Sequence, residues 1–293
     1  MERRSFLTTA ATVGAALAAS GTSASAAEPT KQAKLKFSCQ EWIIPGKTLE
    51  DKVAFMKEHD IVGFEPGGKD LDKRVAQYKN AFKGSDIQTS AICAGFDGVL
   101  ISDKPHVRKR AMESMKSILN AAGELGSTGL IIVPAFNGQT ELSEVGGRYI
   151  LIDLLGELGE HAVKAGSRIL LEPLNRGEAW FLRQLSDAAA ICEEVNNPGI
   201  CMMGDFYHMG IEEPCEYSAF MSCRKYLHHV HLASRPNRKQ PSYDPNDDFR
   251  PGFKALKEIG YQDYCSFECG IEGKGEVELP KAMDMLRKQW AEA

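Results

Sequence analysis

The chain of 293 residues carries a formal charge of −5, with 43% hydrophobic and 26% charged residues. That balance fits a soluble folded protein, and the absence of a clustered basic stripe speaks against a nucleic-acid partner. No low-complexity tract argues for disorder, and length alone leaves one large α/β domain or two average ones open.

Residues 1–26 place an arginine pair, Arg3 and Arg4, before a modest apolar run and a small-residue site at Ala24-Ser25-Ala26. The pattern predicts an export signal. Its Arg-Arg-Ser-Phe-Leu string resembles the twin-arginine type, which carries proteins across a bacterial membrane already folded, so the expected location is periplasmic or otherwise exported. The apolar run is too short and too rich in Ala, Gly and Thr for a span of about 20 residues, and no membrane association is expected once the signal is removed. The eight cysteines contain no C-x-x-C pair, which leaves no zinc knuckle or thioredoxin-like motif. Cys265 and Cys269 lie four residues apart in one extended run, too far for a disulfide.

From residue 35 onward, apolar strand-like runs alternate eight times with helix-period segments. The runs fall at 35–44, 61–68, 87–96, 128–136, 168–175, 200–208, 227–234 and 264–270. Helical periodicity occupies 49–59, 106–126, 149–166, 186–195 and 253–260, with Gly166, Asn196 and Gly260 placed to close helices. Near-continuous apolar runs indicate strands buried on both faces, as in a parallel sheet covered by helices. Eight units in residues 27–293 match a single closed (β/α)8 barrel. A doubly wound open sheet is the runner-up, weakened because no G-x-G-x-x-G follows the first run.

Four of the runs turn from aliphatic to polar at a metal-ligating residue: Glu172 in RILLEPLN, Asp205 in ICMMGDFYH, His231 in LHHVHLAS and Glu268 in YCSFECG. In a barrel the downstream ends of the strands surround the mouth, so these four side chains are expected to converge. Three crowded carboxylates cost on the order of several kcal/mol unless a cation or protons compensate. Three oxygen donors and one imidazole suit manganese, magnesium or cobalt better than a thiolate-type zinc centre. His208, three residues past Asp205, is a candidate donor to a substrate oxygen or a supporting histidine. His229 is expected deeper in the barrel and His228 towards the helices, neither as a ligand. The stretch 234–252, rich in Pro, Asn, Asp and Arg, is too long for a simple connector and is expected to contact substrate.

The strings EPLNRGE, GDFYHMGIEE and HVHLASRPNR resemble those of the xylose-isomerase-like barrel superfamily, especially the branch containing hydroxypyruvate isomerase and the ketose 3-epimerases. The likeness runs through the whole chain after the signal. It implies one divalent metal, manganese first, held by Glu172, Asp205, His231 and Glu268, with Glu172 and Glu268 doubling as the acid–base pair. It further implies that Glu178, His208 and an arginine after the seventh run hold a small sugar or keto-sugar, and it is compatible with a homo-oligomer. The family's arginine follows the metal-binding histidine by six residues, but Asn237 stands there; Arg238 fills the role through a one-residue insertion, or Arg235 replaces it. The implied chemistry is isomerisation or epimerisation through an enediolate. Alternatives are an exported 3-keto-glycoside epimerase or lyase on the same site and, further off, an endonuclease IV-like phosphodiesterase or a non-catalytic sugar-binding barrel.

Overall fold

The computed structural model describes residues 32–293, so the signal-like segment 1–26 lies outside the described residues. The strands are β1 (Lys36–Gln40), β2 (Gly63–Glu65), β3 (Gln88–Thr89), β4 (Ile92–Cys93), β5 (Leu130–Ile132), β6 (Ile169–Leu171), β7 (Ile200–Asp205), β8 (Leu227–Leu232) and β9 (Tyr264–Phe267). They pair in the order β3-β2-β1-β9-β8-β7-β6-β5-β4, every pair parallel.

Strands β3 and β4 are one stave interrupted at Ser90 and Ala91. The Ser90 N–H donates to Phe64 O at 2.9 Å, the Ile92 N–H to Gly129 O at 2.9 Å, and Cys93 bridges to Gly67. The sheet therefore closes on itself as an eight-staved barrel, as the alternation of runs predicts. Gly68 permits the close approach at this seam, since a Cβ there would lie 2.1 Å from the Ala94 carbonyl oxygen.

The apolar runs overshoot the strands at their downstream ends. Pro66, Pro134 and Pro173 follow β2, β5 and β6 closely; each lacks an N–H for the ladder, and the chain leaves the sheet there to line the mouth. Helices α1 (Leu49–Glu58), α2 (Val75–Phe82), α3 (Pro105–Glu124), α4 (Glu144–Ala165), α5 (Leu185–Val195), α6 (Phe206–Glu212), α7 (Glu216–Cys223), α8 (Arg250–Glu258) and α9 (Gly275–Glu292) surround the barrel. Thr48 and Asp51 form a capping box that starts α1, while Gly166 and Asn196 end α4 and α5 in the left-handed conformation, at φ of 74° and 47°.

A large apolar shell fills the space between strands and helices, and a small cluster of Ala91, Ile131, Leu170, Cys201 and Met203 is separate from it. Further buried positions on the strands are polar, including Ser38, Gln40, Glu65, Asp205, His229, His231 and Ser266. A run of buried polar groups requires mutual satisfaction or a ligand. All eight cysteines are free thiols, and Cys39, Cys201 and Cys265 sit buried in strands. Among the described residues no helix is long and apolar enough to cross a membrane.

Candidate functional site

Glu172 follows the last residue of β6, Asp205 ends β7, His231 is the penultimate residue of β8, and Glu268 follows β9. Four consecutive staves thus deliver the four side chains to one place, where a ligand atom from each lies within 4.8 Å of the others. His231 Nδ1 is 2.9 Å from Glu268 Oε2 and 3.7 Å from Glu172 Oε1.

Asp205 Oδ1 accepts the Tyr207 N–H at 2.7 Å and so caps α6. That leaves Oδ2 turned to the mouth, 3.5 Å from Arg238 Nη2 and 3.7 Å from His208 Nε2. Glu172 Oε1, Asp205 Oδ2 and His231 Nδ1 are all buried without a hydrogen-bond partner. Three unpartnered donor atoms aimed at one point, in a set of three carboxylates and one imidazole, fit a divalent cation.

The electrostatics carry the same strain. Burial and the neighbouring Glu268 push the Asp205 carboxyl up to about 8, and burial together with Glu268 also raises Glu172. Glu268 is held well below the usual carboxylate range against its burial, by His231 and Arg238. Burial, then the Arg238 cation, pushes His208 down to about 3. Its Nδ1 accepts from the Asn175 N–H at 3.1 Å, so a neutral His208 carries its proton on Nε2, which has no partner. The protein thus presents an N–H at the mouth.

Arg238 and Arg235 have separate destinations. The Arg238 guanidinium donates to Glu268 Oε2 at 2.6 Å, lies 3.8 Å from Glu178 Oε2 and stacks over Tyr207. Its backbone is left-handed, at φ 54°, and is pinned by an N–H donated to Ser234 O and a carbonyl accepting from the Gly270 N–H. A non-glycine residue in that conformation carries local strain. Arg235 instead donates to Asp248 O and pairs with Glu216 at 2.9 Å, on the side of α7 and α8.

The strings EPLNRGE and DFYHMGIEE are tied to each other. Arg176 forms a two-pronged pair with Glu212 at 2.7 and 3.0 Å, Asn175 meets His208, and Glu213 accepts the Leu185 N–H at 2.7 Å at the start of α5. Half-exposed Glu178 is held by Asn175 Nδ2 at 3.0 Å. His228 pairs with Asp263 at 2.8 Å at the upstream end of β8, away from the ligand set, while His229 is buried deeper in the barrel.

Two residues at the site, Glu65 and Gln40, escape the reading of the sequence. Glu65 ends β2 in the string GFEP, an apolar-to-acid-to-proline change like LLEP at Glu172, and that likeness is the signal that marks it.

Residues 53–289 match the family described as "Xylose isomerase-like TIM barrel". The chain belongs to the xylose isomerase-like TIM barrel family. Among relatives of known activity, it is 31% identical to 3-dehydro-D-guloside 4-epimerase of Escherichia coli (strain K12), over 82% of this chain and 94% of that one. It is 28% identical to ketose 3-epimerase of Arthrobacter globiformis, over 65% of this chain and 66% of the relative. The crystal structure of 3-keto-D-glucoside 4-epimerase from E. coli superposes with a TM-score of 0.80 at 29% identity, covering 87% of this chain and 100% of the other. The family assignment and the closed barrel agree with the resemblance read from EPLNRGE and its companion strings. This xylose isomerase-like barrel is an isomerase-class enzyme, and its four clustered side chains could hold a divalent metal.

Proposed function

We propose that the protein is a metal-dependent epimerase of keto-sugars, acting on 3-keto-glycosides by removing the proton beside the carbonyl and returning it to the opposite face. The observation that carries this reading is the placement of Glu172 and Glu268 directly after β6 and β9, flanking Asp205 and His231 on the two staves between them. A cation held by Glu172, Asp205, His231 and Glu268, manganese in the first instance and magnesium or cobalt otherwise, supplies Lewis-acid polarisation of the substrate carbonyl.

The protein groups do the rest. One glutamate takes the proton from the carbon next to the carbonyl, leaving an enediolate, and the other delivers a proton from the far side. Arg238 and the His208 Nε2–H donate to substrate oxygens, and Glu178 accepts from a hydroxyl. The choice of a glycoside over a free ketose rests on the likeness, at 31% and 29% identity over most of the chain, to a 3-dehydro-D-guloside 4-epimerase and a 3-keto-D-glucoside 4-epimerase. Exposed aromatic side chains on the loops after β1, β5 and β8, namely Trp42, Phe136 and Tyr243, support it by offering apolar surface for an aglycone. Residues 1–26 support a reaction carried out after export.

The test is solvent-proton exchange. Manganese-loaded protein incubated in deuterated water with methyl 3-keto-glucoside is expected to place one deuteron at C4 and yield the 4-epimer with the methyl group retained. Free ketoses should react with kcat/KM at least about tenfold lower. Release of methanol would make the enzyme a lyase, and faster exchange of free ketoses would make it a ketose epimerase.

Substitution separates the two arginines. Arg238→Ala is expected to lower kcat/KM by about 100-fold through loss of a charge-assisted hydrogen bond. Arg235→Ala should change it by less than about threefold, because that guanidinium is occupied by Asp248 and Glu216. The reverse ranking in steady-state kinetics would assign the substrate contact to Arg235.

A further inference from the structure

Directly behind the ligand set a second cluster is organised around Glu65, whose side chain is fully buried. Its Oε1 accepts from Gln40 Nε2 at 2.9 Å and from His231 Nε2 at 3.0 Å, and its Oε2 accepts from His229 Nε2 at 2.8 Å. An ionised carboxylate only accepts, so each nitrogen that meets it carries a proton. With the proton of His231 on Nε2, a neutral imidazole has its lone pair on Nδ1, the atom that faces Glu172 and Glu268.

Gln40 carries the same information to another ligand. Its amide nitrogen donates to Glu65 Oε1 and to Glu268 Oε1, both at 2.9 Å, which uses both of its protons. The opposite amide orientation would set an oxygen against two carboxylates, so the orientation is forced by its neighbours. With Glu268 Oε1 held by Gln40, Oε2 is the oxygen turned to His231 and Arg238 at the mouth.

We propose that Glu65 is a positioning residue for the metal centre: it fixes the His231 tautomer directly and the presentation of Glu268 through Gln40, so one buried carboxylate orients two of the four ligands. The inference rests on the metal-binding reading above and extends it. Glu65, His229 and His231 also lie close enough together to hold an ion of their own. The three contacts have hydrogen-bond alignment, with N–H groups pointed at the carboxylate oxygens, and Gln40 occupies the same oxygen as His231. The cluster is therefore assigned as support for one ion and not as a second site.

The experiment compares wild type, Glu65→Gln and Gln40→Met as full-length, folded, metal-free protein titrated with manganese(II), with free manganese followed by electron paramagnetic resonance. Long-range proton–nitrogen spectra of histidine-labelled, magnesium-loaded protein report the His231 tautomer. Wild type is expected to bind one ion and show His231 protonated on Nε2. Glu65→Gln should bind manganese about 10- to 100-fold more weakly, the loss typical of removing a partner behind a metal-ligating histidine. Its His231 signal should no longer report the single tautomer.

A purely structural Glu65 would lower the melting temperature and leave affinity and tautomer unchanged, which overturns the proposal. Two ions bound per wild-type chain also overturns it. Should Glu65→Gln fail to fold, Gln40→Met decides: weaker manganese binding supports the proposal, and unchanged binding sinks it. Absence of any manganese binding by the wild type would instead remove the metal-dependent mechanism itself.

Discussion

Replacing Glu172 by Gln is expected to reduce turnover by about a thousandfold or more while the protein still melts cooperatively, because a positioned proton-transfer group contributes roughly 10²- to 10⁴-fold and in the proposed mechanism Glu172 also ligates the cation. Glu268→Gln should lose as much activity and also some stability. Glu268 Oε1 accepts from Gln40 and Oε2 from Arg238. A carboxamide must turn its NH2 towards one of those donors, at about 1–3 kcal/mol for the mismatch. Glu172 Oε1 has no such partner, so its amide meets no comparable conflict there. Steady-state kinetics with thermal melting checks both variants. Activity within tenfold of wild type in either would overturn the two-base mechanism.

The second large effect concerns Asp205 and carries opposite signs for binding and for folding. Asp205→Asn keeps an oxygen to accept the Tyr207 N–H that caps α6 and removes one of three crowded negative charges. Metal content should fall below about a tenth of wild type, since both the charge and the Oδ2 ligand are lost. The metal-free variant should match or exceed the metal-free wild type in melting temperature at pH 8.

The reason is that burial and Glu268 push the wild-type Asp205 carboxyl up to about 8. A carboxyl raised in the folded state favours its protonated form there. The stability this provides is full below about pH 4, the ordinary Asp value, and is lost as pH rises through about 8. Cation binding should therefore raise the melting temperature of the wild type more at pH 8 than at pH 5, and that of the variant hardly at all. Full metal content in Asp205→Asn would remove Asp205 from the ligand set.

The barrel and the convergence of Glu172, Asp205, His231 and Glu268 are legible in the sequence because each lies where an aliphatic run becomes polar, and strand parity then does the placing. Arg238 was open to a competing reading with Arg235, since three residues of a loop can be resolved only by its turns. The folded loop, with a left-handed backbone at Arg238 bonded to Ser234 and Gly270, puts Arg238 beside Glu268 and Arg235 beside Glu216, and which of them touches substrate is what their substitution tests.

Glu65 and Gln40 were harder to read because they come from the first staves of the chain and act across the barrel interior. No spacing along the sequence records that β2 faces β8. Their role depends on which nitrogen of His231 bears a proton, a property of the assembled core. The clamp between Arg176 and Glu212 is similar: both lie in strings that carry the family resemblance, yet only the folded loops show that one half of that signature exists to hold the other.

The interrupted stave at β3 and β4 divides the barrel mechanically. On that side the ladder is built from two- and three-residue strands, whereas β7 and β8 on the ligand-bearing side run for six residues each. Backbone amides around the seam have the fewest cooperative neighbours and are expected to exchange first in hydrogen-exchange measurements, with those of β7 and β8 last. Asp205 and His231, the two middle members of the candidate ligand set, stand on these long strands. The loops that bear Trp42 and Phe136 follow β1 and β5, the staves that adjoin the ligand-bearing four at either edge, so a ligand resting on both is expected to span the boundary between the long strands and the short ones.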